Sequence, residues 1–77
     1  MSQPIESGFG RFIRQRRHEL SMSQAALAGL WGVSALTVSN VEGSTRARLP
    51  SPEKAQALAH ALRLPLIDLV RAAGYRV

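Results

Sequence analysis

The sequence predicts one compact all-α domain of five short helices. Three observations carry that reading. Apolar residues recur at helical spacing in five separate stretches, caps and breakers (Ser23, Gly32, Ser34, Gly43, Ser51, Pro65, Gly74) bound those stretches, and no run alternates as a strand does. The 77 residues suit a single domain, and a chain this short buries only roughly 60% of its unfolded surface. Residues 8–74 are expected to form the domain, with 1–7 a loose arm and 75–77 a short tail.

Helix one is expected from about Gly8 to Leu20. Phe9, Phe12, Ile13 and Leu20 share one side, and Arg11, Arg14 and Arg16 fall largely away from it. After a short "SM" turn, Ser23 is a suitable N-cap for helix two, Gln24 to about Trp31. Gly32 breaks that helix, because a glycine just past a helix end takes positive φ without a Cβ clash. Ser34 opens helix three, Ala35 to about Glu42, and Gly43 closes it. The polar, basic "STRARLP" loop follows. Ser51 is expected to cap helix four, with Pro52 at its first position and Glu53 favouring its dipole. Ala55, Leu58, Ala59 and Leu62 make its apolar stripe. Pro65 starts helix five, which carries Leu66, Leu69 and Val70 and stops at Gly74.

Composition narrows the partners. Ten Lys and Arg face five acids, for a net charge of +5, and nine of the ten are arginine, the residue suited to bidentate phosphate and base contacts. That balance predicts a polyanionic partner, nucleic acid or an anionic membrane surface. There is no cysteine, so disulfides and Cys-based zinc sites are excluded. His18 and His60 stand 42 residues apart with no third ligand near, so neither metal nor cofactor is expected. No acid–base pair, phosphate-cradling glycine loop or partnered nucleophile appears, so no enzymatic activity is expected.

Residues 20–41 hold no charge at all, long enough to suggest a membrane span. Yet seven of those 22 residues are Ser, Thr, Gln or Asn and two are Gly, polar groups that lipid would leave without partners. A helix-turn-helix explains the stretch better. Ala28 sits where helices two and three cross. Leu27, Trp31, Val33, Val38 and Val41 supply inward faces. Ala35, Leu36, Ser39, Asn40 and Gly43 then point outward. A helix entering a major groove presents small neutral groups to base edges, and its charges belong at the flanks, near phosphates.

The segments "FGRFIRQRRHELSMSQAALAGLWGVSALTVSNVEGS" and "LPSPEKAQALAHALRLPLIDLVRAAG" carry a family resemblance. The chain resembles the helix-turn-helix domains of lambdoid phage repressors and Cro proteins, also called the xenobiotic-response-element-like family. The pattern "R…LSxSQxxLAxxxGVSxxTVSxxEG" is specific, because it fixes many positions over 27 residues. The resemblance implies a five-helix lambda-repressor-like fold, double-stranded DNA as partner, and a homodimer on a palindromic operator.

By that resemblance, Ala35, Leu36, Ser39 and Asn40 reach bases. Asn40 is suited to adenine, and Ala35 and Leu36 to thymine methyls. Ser23, Gln24 and Thr37 meet phosphates at the starts of helices two and three, and Gln24 also braces the recognition helix. Thr45, Arg46 and Arg48 in the following loop, with Arg11 and Arg14 on helix one, are further phosphate candidates. Arg17 and Glu42 match a buried ion pair that ties helix one to the end of helix three. Leu49, Pro50, Leu66, Leu69 and Tyr75 are candidate dimer contacts. Two residues at the head of helix three, Ala35 and Leu36, depart from the glutamines of several phage members, so the operator is not transferable.

The expected function is a sequence-specific, cytoplasmic (host cytoplasm or nucleoid) transcriptional regulator of Cro-repressor type and phage or mobile-element origin. The same fold also serves antitoxins that bind a toxin and their own promoter. A membrane-surface role for basic helix one is a third reading.

Overall fold

A computed structural model describes residues 8–44 and 48–75. They form α1 (Phe9–Glu19), α2 (Gln24–Trp31), α3 (Ala35–Gly43), α4 (Pro52–Ala61) and α5 (Leu66–Ala72), with no strand among the described residues. The helix order is the one the sequence predicts, and the boundaries differ by a residue or two. Among the described residues, no helix is long and apolar enough to cross a membrane.

Caps set the boundaries. The Ser23 hydroxyl accepts from the Ala26 N–H at 3.0 Å, and that of Ser34 accepts from the Thr37 N–H at 3.1 Å. Each satisfies a donor that a helix start leaves open. Ser51 holds the N-cap position of α4 but makes no side-chain cap bond; the first turn relies instead on Pro52, which has no N–H to satisfy. Gly43 is the last helical residue of α3, and Ser44, with extended backbone, is its C-cap. The turn after α1 uses Ser21 at φ 54, and the Met22 N–H reaches back to the Arg17 carbonyl at 3.0 Å.

Phe9, Ile13, Leu27, Val38, Leu58, Leu62 and Leu69 are fully buried and join α1 through α5 into one core. The second helix lies at its centre, packed on both α3 and α4, while α1 packs on α3 and α5. Ala28, Ala55, Ala59 and Ala61 are also buried; small side chains at such positions let helix axes approach closely.

Arg16 corrects the expectation that it points away from the apolar side. Its Nε donates to the Leu62 carbonyl at 2.9 Å and a terminal nitrogen donates to the Arg63 carbonyl at 3.3 Å. It also pairs with Glu19 at 3.2 Å. The long stem lies along the surface of α1 while the guanidinium satisfies carbonyls at the end of α4. Leu69 corrects the dimer expectation. It is 0% exposed, because the inward stripe of a helix as short as α5 is consumed by the core, so it offers nothing to a partner.

Candidate nucleic-acid interface

The unit formed by α2 and α3 depends on one turn. Gly32 has φ 86, the left-handed region where a Cβ is costly. The Gly32 and Val33 N–H groups both return to the Ala28 carbonyl, at 2.8 and 3.0 Å. The turn is then locked to α4 from both sides. The Trp31 indole N–H donates to the Lys54 carbonyl at 2.9 Å, and the Lys54 ammonium donates to the Gly32 carbonyl at 3.1 Å. Nothing in the sequence alone singled out Lys54, because the contact spans 22 residues.

With the turn fixed, α3 buries Val38 completely and Val41 in part. Ala35, Leu36, Ser39, Asn40 and Gly43 are all exposed on the opposite side, and Leu36 is 69% exposed. This face carries no charge. Thr37 is half-buried, its hydroxyl 3.0 Å from that of Ser34, so it belongs to the cap as much as to the surface. Arg11, Arg14 and Arg48 are exposed. Thr45 and Arg46, also expected to meet phosphate, lie outside the described residues. The exposed hydroxyl of Ser23 accepts its cap bond and still has a proton to donate.

Behind this face lies a charged network. Arg17 and Glu42 form a two-pronged pair, Nε to Oε2 at 2.7 Å and a terminal nitrogen to Oε1 at 2.9 Å. Their side chains are only 8% and 3% exposed. The other terminal nitrogen of Arg17 donates to the Met22 carbonyl at 2.8 Å, tying in the turn before α2. The Gln24 amide donates to Glu42 Oε1 at 3.1 Å. Burial by itself would push the Glu42 carboxyl up. The hydrogen bonds from Arg17 and Gln24, with the charges of Arg17 and Arg14, outweigh it and hold the group below its ordinary value. Arg17 is raised, first by its bond to Glu42. Gln24, expected to meet phosphate, is therefore also held from inside the protein, a contact the sequence did not reveal.

Of the dimer candidates other than Leu69, Leu49, Pro50 and Leu66 are half-buried and Tyr75 is 58% exposed. Leu49 and Leu66 also pack against the core, so part of each side chain is already engaged.

Similarity to known proteins follows the same residues. A family profile described as a helix-turn-helix domain matches residues 9–73. The HTH-type transcriptional repressor RghR of Bacillus subtilis (strain 168) is 37% identical over 67 residues, 87% of this chain and 49% of RghR. The chain thus spans about half the length of this curated relative. The P22 c2 repressor, solved in complex with a synthetic operator, is 36% identical with a TM-score of 0.72. That match covers 83% of this chain and 94% of the repressor chain in that structure. SinR, a master regulator for biofilm formation solved in complex with DNA, is 26% identical with a TM-score of 0.71, covering 80% of this chain and 97% of the SinR chain in that structure. The turn at Gly32, the five-helix order and these similarities agree: the chain belongs to the helix-turn-helix domains of the xenobiotic-response-element-like, lambda-repressor type.

Proposed function

We propose that this chain is a sequence-specific double-stranded DNA-binding regulator of the repressor type that lays α3 in the major groove. One observation carries the reading: the uncharged, exposed face Ala35–Leu36–Ser39–Asn40, on a helix whose other side is buried at Val38. A solvent-facing helix side normally carries charge. In a chain of net charge +5, a side without any suits contact with base edges, while Arg11, Arg14 and Arg48 suit phosphates. Asn40 is the group able to pair bidentately with adenine, and Leu36 contributes apolar contact with thymine methyls. The DNA complexes of the P22 c2 repressor and SinR support the choice of partner.

The finer reading is a Cro-type repressor of phage or mobile-element origin that acts by occupying a palindromic operator as a homodimer. Leu49, Pro50, Leu66 and Tyr75 would supply the dimer contact, and the two α3 helices would lie about 34 Å apart, one turn of DNA.

Selection from random duplexes, with sedimentation of the complex, tests this. A palindromic winner bound two-to-one is the expected result, and no enrichment over bulk DNA overturns it. On the selected site, Asn40→Ala is expected to lower affinity about tenfold and to relax preference at one base pair. Replacing thymine by uracil next to Leu36 should weaken wild type more than Leu36→Ala. By contrast, Arg14→Ala and Arg48→Ala should each leave sequence preference intact and reduce the salt slope of log affinity by about 0.9. An unchanged slope removes that arginine from the phosphate contacts.

A further inference from the structure

We infer that Glu42 is a positioning residue for DNA binding: its carboxylate aims the Gln24 amide so that the second N–H of that amide meets a backbone phosphate. The inference rests on the DNA binding proposed above and on the phosphate contact expected for Gln24.

The geometry supports it in three steps. Both Glu42 oxygens are held by Arg17, at 2.7 and 2.9 Å, in a place where the carboxylate is 3% exposed. The acceptor is therefore fixed before any ligand arrives. The Gln24 amide is bound to that acceptor at 3.1 Å. An amide nitrogen carries two protons directed well apart, so engaging one on Glu42 turns the other away from it, and the other has no partner among the described residues. Finally, Gln24 is the first residue of α2, and its neighbours Ser23, Ala25 and Ala26 are exposed. The first-turn N–H groups and the helix dipole add to the same attraction for an anion.

Charge decides why an acid is tolerable here. An unpaired carboxylate beside a phosphate would repel it. Arg17 neutralises Glu42 and Arg14 reaches it with a second positive charge, so the carboxylate holds the amide without opposing the duplex. A loose glutamine would lose its rotamer freedom on binding; one already tethered loses little.

A double-mutant cycle on the selected duplex separates positioning from mere folding. Gln24→Ala is expected to weaken binding about tenfold. Replacing the ion pair by apolar side chains, Arg17→Met/Glu42→Met, keeps the volume filled and removes the tether. It should weaken binding several-fold with Gln24 present and not at all in the Gln24→Ala background, with folding of each variant verified by circular dichroism. Equal losses in both backgrounds overturn the inference. If Gln24→Ala leaves affinity unchanged, the phosphate role of Gln24 fails first, and that outcome is visible before the pair is altered.

Should the pair replacement not fold, wild type labelled with nitrogen-15 supplies a second readout. One Gln24 side-chain amide proton should exchange slowly in the free protein, and the other should become protected on adding duplex. Two protons that both exchange like those of a solvated glutamine, before and after, overturn the inference.

Discussion

Glu42→Ala is expected to lower the unfolding free energy by about 3–5 kcal/mol, the loss found when one partner of a buried ion pair is removed. Glu42 accepts from Arg17 twice and from Gln24 once. Its removal strands a guanidinium that is 8% exposed. For a 77-residue domain, total stability is on the order of 4–12 kcal/mol, so the variant is expected to be largely unfolded at the lower end of that range. The pair also sets an acid limit. The folded state holds the Glu42 carboxyl below its ordinary value of 4.5. Its contribution is therefore complete above that value and lost as pH falls through the lower, folded-state value. Urea titrations from neutral pH downward should show wild type losing this increment in acid and Glu42→Ala showing no such loss. A deficit under about 1 kcal/mol at neutral pH would mean the pair behaves as a surface pair.

Gly10→Ala is expected to destabilise by about 3 kcal/mol, the upper end of the overpacking range, against the helix propensity that favours alanine by about 1 kcal/mol. Gly10 is buried in α1, where that helix crosses the end of α3. A Cβ there would run into the Val41 carbonyl oxygen, with those of Glu42 and Ser44 at 3.1 Å. All three are backbone atoms, so no rotamer change relieves the clash and the helices must separate. Gly29→Ala is the matched control. Gly29 lies in α2, exposed, with nothing within 4 Å of the added carbon, so it should stabilise by about 0.5–1 kcal/mol. Denaturation midpoints moving in opposite directions check both; the same sign for both would refute the close-crossing account.

The helix order was legible in the sequence because local chemistry set it. Ser23, Gly32 and Ser34 are caps and breakers whose effects reach only three or four residues, and each helix carries its own apolar stripe. The outward face of α3 was legible for the same reason: once Val38 is inward, helical spacing places Ala35, Leu36, Ser39 and Asn40. What was not legible joins residues far apart in the chain. Gly10 reads as a weak spot in a helix until α3 is placed against it. Arg16 looks like one more surface base, yet its partners Leu62 and Arg63 lie 46 and 47 residues away. Lys54 against Gly32 and Gln24 against Glu42 share that character. Leu69 shows the converse failure: an apolar residue on a short last helix reads equally as core or as partner surface, and only the packing of α1, α4 and α5 decides.

Trp31 is the chain's only tryptophan, and it sits 4% exposed with its indole N–H bound to the Lys54 carbonyl. Its emission therefore reports on the buried α2–α4 junction and nowhere else. Exposure of the indole to water would shift the fluorescence to longer wavelength, so the protein carries its own optical gauge of whether the turn that presents α3 is still docked.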